Sequence, residues 1–221
     1  MIEAASYVGV EEIVLLGDYA DFYAVSRHPK DPRVKVLLTE EVASVNQGLD
    51  ELDSLFPSAK KVFLEGNHEV RLETYLCQKA PELFGVTEAQ FLFHIHERPL
   101  WTYIGFGRGQ KYQVLGQELY AFHRPKGPNP KAHLERTGVS SIYGDIHKIE
   151  RGHMVTLDNR QLVCSCPGWL GDVSSRVFDY MPRTPQWQLG FSLVYASDQE
   201  FHIEQVEIKN KKCIVQGKVF G

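Results

Sequence analysis

The chain has 221 residues, of which 43% are hydrophobic, 24% charged and 11% aromatic. This composition can bury a substantial core, so it excludes a disordered chain and a disulfide-stabilised miniprotein. The 24 basic and 28 acidic residues give a formal net charge of −4, which excludes a global positive field that gathers nucleic acid non-specifically. No apolar run is long enough to cross a bilayer, and the first residues do not form a secretion signal. We therefore expect one domain over residues 1–221 in a soluble, cytoplasmic protein.

The cysteines favour a reducing compartment, because their spacing matches neither a zinc site nor a thioredoxin-like motif. Cys164 and Cys166 alternate along an apolar run. This pattern predicts two strand residues packed on one face rather than a metal or redox pair. The other two cysteines are Cys77 and Cys213.

The first half of the chain alternates helical and strand-like patterns. Apolar residues from Val34 onward recur at intervals of three and four, which predicts an amphipathic helix that continues until Pro57. The other elements expected here are a helix over Met1–Val8 ended by Gly9, strands over Glu12–Leu16 and Lys61–Leu64, and a helix from Val70 to the Ala80-Pro81 pair.

In the second half the hydrophobic period changes to two, as in half-buried strands. Helical units followed by a strand-rich half predict an α/β fold with both parallel and antiparallel strands. Pro125–Pro130 and Tyr180–Trp187 are the expected loops. The expected strands are Lys111–Leu115, Glu118–Phe122, Val139–Tyr143, His153–Leu157, Gln161–Cys166, Phe191–Tyr195, His202–Ile208 and Cys213–Val219.

Four of the expected strands lead directly into polar side chains. Gly17-Asp18 follows the first strand and Gly66-Asn67-His68-Glu69 follows the second, while later strands lead to His123 and to Gly144-Asp145-Ile146-His147. The carboxyl ends of strands are where α/β sheets bind ligands, because the loops there carry polar groups on a rigid support. Carboxylate, amide and imidazole ligands suit Mn²⁺, Fe or Zn²⁺. These strand ends therefore predict a divalent metal site.

The order of these motifs resembles the calcineurin-like metallophosphoesterase family. The long helix that ends at Pro57, the acidic turn after it and the tail over Trp187–Ile208 also look like the phage and prophage members of this family. Residues 17–21, Gly-Asp-Tyr-Ala-Asp, are similar to the family's Gly-Asp-x-x-Asp motif, and residues 66–69 to its Gly-Asn-His-Asp/Glu motif. His123 looks like the family's lone histidine. Residues 144–147 are similar to Gly-His-x-His, with Asp145 in place of the first histidine.

The resemblance implies an αββα sandwich of two mixed β-sheets flanked by helices, which holds one or two divalent metal ions. Two cations lower the pKa of a water between them, so that the hydroxide attacks phosphorus in line. An imidazole on the opposite side can protonate the departing alkoxide, and the resemblance gives that role to His68. The metal ligands implied are Asp18 as a bridge between the ions, Asn67, His123 and Asp145 for the second ion, and His147 for the first.

Two departures from the family pattern change these expectations. The family's Asp-x-His motif is absent, so we expect the first strand to be missing through a late start, a truncation or natural loss. Asp145 adds a negative charge where the family has histidine, which makes Mn²⁺ the first choice of metal, with Mg²⁺, Fe and Zn²⁺ as alternatives. The other interpretation of Asp145 is a turn residue that is solvated or caps a backbone amide.

Further residues near these motifs have a functional and a structural interpretation. Arg71 is a candidate for binding a substrate phosphate, and a salt bridge to Glu41 or Glu73 is the alternative. Asp21 is a candidate for orienting Asp18 or a ligand, with capping of the following turn as the alternative.

Two further histidines and two tryptophans are assigned structural roles. His94 and His96 have no third ligand nearby in the sequence, so we expect surface residues. Trp169 and Trp187 are expected to be core or interface residues rather than base-stacking platforms.

The sequence thus predicts metal-dependent hydrolysis of a phosphomonoester or phosphodiester by a metal-bound hydroxide, with His68 assisting the leaving group. Phosphatase, phosphodiesterase and nuclease are not distinguished, and phage context makes a nucleotide or nucleic acid a reasonable substrate by analogy. No membrane partner is expected. The alternative is a catalytically impaired remnant of the same fold, acting as a binding protein or present as a fragment, and the missing Asp-x-His motif favours it.

Overall fold

The computed structural model describes residues 1–28, 30, 33–85, 88–172, 186–198 and 200–221. These residues form a mixed α/β protein with five α-helices and several sheets, which confirms the predicted α/β class. Within them, no helix is both long enough and apolar enough to cross a membrane. The expected loop over Tyr180–Trp187 lies outside the described residues except for its last two positions.

The described residues divide into two compact units. The amino-terminal unit comprises Val10–Arg108, and the carboxy-terminal unit comprises Met1–Gly9, Gly109–Asp172 and residues 186–221. Both units contain residues of the expected metal site, so each is described by itself. The single domain over residues 1–221 stays a prediction.

The amino-terminal unit is built on a parallel three-stranded sheet. Its strands are β1 (Glu12–Leu15), β2 (Lys60–Leu64) and β3 (Trp101–Ile104), in the order β1-β2-β3. Both faces of β2 are buried from its second residue onward, as expected for the central strand of a covered parallel sheet. The helices of this unit are α2 (Leu38–Leu55), α3 (Val70–Lys79) and α4 (Ala89–Leu92).

Helix α2 begins four residues later than its apolar spacing predicts. Leu37 has an extended backbone with φ −83° and ψ 138°, and its backbone N–H donates to the Glu40 carboxylate, so the helix starts after it. The helix ends before Phe56, which precedes proline and leaves the helical region, as the residue before proline usually does. Strand β3 was not predicted from the sequence.

The carboxy-terminal unit contains α1 (Ile2–Val8) and a mixed five-stranded sheet. Three central strands of that sheet are parallel, and an antiparallel strand lies at each edge. Helix α5 (Pro130–Thr137) contacts this sheet. In spatial order the strands are β4 (Tyr112–Gln113), β5 (Leu119–Phe122), β6 (Ser140–Tyr143), β8 (Gln161–Pro167) and β7 (Ile149–Val155).

Two antiparallel hairpins complete this unit. One pairs β9 (Gly190–Ala196) with β10 (Phe201–Glu207), and the other pairs β11 (Cys213–Val215) with β12 (Lys218–Phe220). The single strand predicted over Cys213–Val219 is therefore wrong. Gln216 and Gly217 both have positive φ, at 50° and 78°, which makes the tight turn that reverses the chain.

Three other segments of this unit differ from the predictions. The strand predicted over Lys111–Leu115 shortens to β4, because Leu115 adopts a left-handed conformation in a 3₁₀ turn. The strand predicted over His153–Leu157 begins earlier, at Ile149, and ends at Val155. Helix α5 was missed, although Asn129 caps it through Ala132 N–H and Pro130 opens it, which are recognised start signals.

Cys164 and Cys166 are fully buried free thiols in the core of this unit. They belong to one hydrophobic cluster with Phe122, Leu134 and Tyr143. Burial raises the pKa of Cys164 to about 11 and that of Cys166 to about 12. Both thiols therefore stay protonated at neutral pH, and the predicted packing role is confirmed.

The buried imidazole of His133 on α5 is held neutral. Its Nδ1 accepts the Lys126 backbone N–H at 2.9 Å, so its Nε2, 2.7 Å from Ser141 Oγ, carries the ring proton. Burial, together with the positive charge of Lys126, lowers the pKa of His133 to about 4. A proton on Nδ1 would face the Lys126 backbone N–H, so that two donors would point at each other.

We expect His133 to make the chain less stable in mild acid. An unfolded histidine titrates near pH 6.5, so the unfolded state binds the extra proton first and stability falls from about pH 6.5 down to about pH 4, by about 2–3 kcal/mol in total. His133→Gln should remove this part of the slope. Urea midpoints of both proteins at pH 7, 5 and 4 measure it, and parallel pH profiles would contradict the assignment.

Candidate metal centre

Two motifs of the amino-terminal unit lie at one edge of its sheet. Strands β1 and β2 are parallel neighbours, with Val14 opposite Val62, so their carboxyl ends share that edge. Gly17 and Asp18 follow β1, and Gly66 to Glu69 follow β2. The predicted placement of these motifs at strand ends is therefore confirmed.

The buried carboxylate of Glu69 holds both motifs together. Its Oε2 accepts the backbone N–H of Gly66 at 2.7 Å and of Asp18 at 3.0 Å, and its Oε1 accepts that of Ala20 at 2.8 Å. Burial, with the Asp18 charge adding to it, raises the pKa of Glu69 to about 7. A side chain at Gly66 would overlap the Asp18 backbone. Glu69 and Gly66 therefore fix where Asp18 stands.

The role of Glu69 in holding the two motifs together was not predicted. In the sequence, Glu69 was noted only as the last residue of the motif over residues 66–69. A usable signal was present, because an acidic residue at the start of an amphipathic helix often accepts backbone N–H groups. The partners of Glu69 on the other loop, 49 and 51 residues away, give no local sequence signal.

Asp18 contacts the second motif through its side chain. Its Oδ1 accepts the His68 backbone N–H at 3.0 Å, and its Oδ2 lies 3.7 Å from His68 Nε2. Asp18 also has a left-handed backbone, with φ 57°. A non-glycine residue in this conformation costs free energy and is retained where neighbouring contacts hold it, often at functional sites.

His68, Asp21 and Arg71 form a connected polar group. His68 Nδ1 lies 2.7 Å from Asp21 Oδ1, and Arg71 Nη1 lies 2.6 Å from the same oxygen. Arg71 Nη2 is 2.9 Å from His68 Nε2, and because arginine only donates, that nitrogen accepts and Nδ1 carries the proton. Burial raises the pKa of Asp21, but the hydrogen bonds and charges of His68 and Arg71 outweigh it and lower the pKa overall.

This group bears on two predicted alternatives. The ion-pair partner of Arg71 is Asp21 rather than Glu41 or Glu73, which were the partners considered from the sequence. Asp21 orients His68, whereas the sequence suggested Asp18 or a ligand as its target. Asn67, the second residue of the motif over residues 66–69, is half-buried.

The carboxy-terminal unit gathers its predicted ligands at one edge of its sheet in the same way. Strands β5, β6 and β8 are parallel neighbours, and His123, Asp145 and Trp169 follow their carboxyl ends. His123 is fully buried, and its backbone N–H donates to Gln110 Oε1 at 3.2 Å. His123 Nε2 lies 3.7 Å from Asp145 Oδ1.

Asp145 also forms a two-point ion pair. Arg124 Nε lies 3.0 Å from Asp145 Oδ2, and Arg124 Nη2 lies 3.2 Å from Oδ1. The Asp145 carboxylate is thus ion-paired with Arg124. This contact was not part of the alternative interpretation of Asp145 as a merely solvated turn residue. Asp145 has φ 69° and His147 has φ 56°, so both join Asp18 in the left-handed region.

His147 packs against aromatic rings. Its imidazole stacks on Trp169, with ring centroids 5.1 Å apart, and meets the edge of Trp187 at 4.7 Å.

His94 and His96, in the amino-terminal unit, are exposed, and a ring nitrogen of each lies 3.4 Å from Glu97. Their prediction as surface residues is therefore confirmed.

The side chains present suit a divalent cation. Asp18, His123 and Asp145 each offer a carboxylate oxygen or imidazole nitrogen that can ligate such an ion. Two ligands about 2.1 Å from one cation lie about 3.0–3.5 Å apart. The 3.7 Å between His123 Nε2 and Asp145 Oδ1 needs only a small shift to reach that spacing.

No protein-family model, curated protein or solved structure matches this chain. The resemblance to the metallophosphoesterase family therefore stays a prediction that rests on the motifs. What can be said of function rests on the chemistry of the side chains described above.

Proposed function

We propose that the chain is a metal-dependent phosphoesterase of the calcineurin-like type, which hydrolyses a phosphomonoester or phosphodiester. The observation that carries the proposal is the polar group at the β1–β2 edge. There a potential metal ligand, Asp18, lies beside an imidazole, His68, and a guanidinium, Arg71. Phosphoryl transfer needs these three functions, which are charge stabilisation, proton transfer and phosphate binding.

We propose a divalent cation as cofactor, with Mn²⁺ as the first choice. When bound, it supplies Lewis-acid activation of water and offsets charge on the phosphoryl oxygens. Asn67 contributes a neutral oxygen, which limits the negative charge that a substrate phosphate must approach. The proposed ligands are Asp18, Asn67, His123, Asp145 and His147.

His68 is the proposed leaving-group acid, and Asp21 sets its orientation. Asp21 accepts from Nδ1, so Nε2 is the atom directed at the substrate oxygen. Arg71 contacts the same Nε2 and is the proposed phosphate-binding residue. An incoming phosphate competes for the Arg71 guanidinium and thereby uncovers His68 Nε2, which takes up a proton from solvent and then passes it to the leaving oxygen.

The proposal includes the αββα sandwich that the resemblance implies. The parallel sheet of the amino-terminal unit and the mixed sheet of the carboxy-terminal unit, each with helices, supply strands and helices for such a fold. The net charge of −4 favours a small phosphoester over a long nucleic acid.

The test is hydrolysis of bis(4-nitrophenyl) phosphate with Mn²⁺, together with metal stoichiometry. We expect EDTA to abolish turnover and His68→Asn to lower it by about 10²–10⁴-fold, which is the range of a lost acid. His96→Asn, at an exposed histidine, is the matched control and should keep full activity.

Turnover that survives EDTA would contradict the metal mechanism. A folded chain with neither bound metal nor turnover would instead indicate a non-catalytic binding protein with the same motifs.

A further inference from the structure

An aromatic cluster of the carboxy-terminal unit contains two tryptophans that have no role in the proposed chemistry. It consists of His147, Trp169 and Trp187. The His147 and Trp169 rings stack with 16° between their planes, and Trp187 meets each of them edge-on, with centroids 4.7 Å away in both cases. The three residues come from separate segments of the chain.

Backbone hydrogen bonds join these segments around Gln188. Its N–H donates to the His147 carbonyl at 2.9 Å, and its own carbonyl accepts the Trp169 N–H at 3.0 Å. Its side-chain oxygen accepts the Ile149 N–H at 3.0 Å. The rings therefore meet on a framework that fixes their backbones, rather than through a chance surface contact.

Gly171 packs the cluster more tightly. A Cβ at this position would overlap the six-membered ring of Trp169, so the glycine backbone lies directly against the indole. The indole thus contacts Gly171, His147 and Trp187 at once. A platform for stacking a nucleobase needs an open aromatic face, so this packing favours a role within the protein.

The cluster holds the imidazole of His147, which is a proposed metal ligand and has a left-handed backbone. His147 has φ 56°, a backbone conformation that persists only where the surrounding structure holds it. Residues that orient metal-binding histidines commonly affect metal affinity strongly. The stacked indole of Trp169 restricts rotation of the His147 imidazole.

We propose that Trp169 and Trp187 are positioning residues that hold the His147 imidazole in the orientation in which it binds the divalent cation. The inference rests on the proposed function both for the presence of that cation and for His147 as one of its ligands. It adds that part of the metal affinity comes from aromatic packing, and that Gly171 is required because only a glycine permits it.

Isothermal titration with Mn²⁺ of the full chain tests this inference. We expect Trp169→Leu to weaken binding by about 10-fold or more, the range found when support for a ligand is lost. Trp169→Phe keeps a ring and should restore most of the affinity. Gly171→Ala keeps all three rings but displaces Trp169, so it should weaken binding as Trp169→Leu does. Trp101→Phe, in the amino-terminal unit, is the control, and thermal melts verify that each variant is folded.

A double-mutant cycle separates positioning from a general loss of structure. If Trp169 acts through His147, then Trp169→Leu causes no further loss of Mn²⁺ affinity in a His147→Ala background. Equal losses in both backgrounds would overturn the positioning role, as would an unchanged affinity in Trp169→Leu beside a reduced one in His147→Ala. A wild-type chain that binds no Mn²⁺ would overturn the proposed function and this inference together.

Discussion

Asp18→Asn should lower Mn²⁺-dependent turnover by about 10²–10⁴-fold while leaving the fold intact. The substitution keeps the Oδ1 acceptor for the His68 backbone N–H and the volume of the side chain. It removes the negative charge that offsets a divalent cation, and metal ions contribute several kcal/mol of charge stabilisation to a transition state. Steady-state turnover and Mn²⁺ titration measure the two consequences.

The matched control for Asp18→Asn is Asp158→Asn. Asp158 lies in an exposed turn beside Arg160, so the same chemical change there should leave turnover and metal affinity unaltered. Full activity in Asp18→Asn would exclude Asp18 as a ligand, and with it the metal site proposed for the β1–β2 edge.

Glu69→Ala should lower the free energy of unfolding by about 3 kcal/mol. Three backbone N–H groups lose their acceptor at once, and each unsatisfied buried donor costs about 1–3 kcal/mol. Part of this loss is offset because the variant no longer buries a carboxylate, whose pKa burial raises to about 7. Urea denaturation at pH 7.5 measures the net effect.

Glu73→Ala supplies the comparison for this substitution. Glu73 is an exposed residue of the same helix, α3, so we expect a change within about 0.5 kcal/mol. An unchanged urea midpoint in Glu69→Ala would show that the Asp18 loop is held by other contacts.

The two substitutions separate chemistry from support. Asp18→Asn changes a charge at the site and leaves its hydrogen bond in place, so activity should fall without loss of stability. Glu69→Ala leaves Asp18 unaltered but releases its backbone, so stability should fall, and activity with it even below the melting temperature. If Asp18→Asn lowered stability and Glu69→Ala lowered activity alone, Asp18 would be the structural carboxylate and Glu69 the one that acts in the reaction.

The sequence located the potential chemistry well. Buried strands that end at glycine and then at a polar residue were recognised for Asp18 and for His68, because a short apolar run followed by such a turn is a local pattern. Asp145 followed the same rule in the second half of the chain, and His123 follows its strand directly, without a glycine. Parallel pairing then brings the strand ends of each unit to one edge.

Elements that depend on backbone conformation were predicted less well. The β11–β12 turn needs positive φ at Gln216, a residue that seldom signals a turn, so the hairpin looked like one strand. Helix α5 was overlooked because its short apolar pattern was weaker than the run of prolines before it.

The sequence by itself determined the mixed α/β class and which polar side chains stand at strand ends, since both follow from periodicity over a few neighbouring residues. Only the tertiary structure decided their partners. Glu69 reaches Asp18 across 51 residues, and Arg124 reaches Asp145 across 21. Which side chains meet at such separations depends on the order of the strands in each sheet, and the hydrophobic periodicity of a single strand does not determine that order.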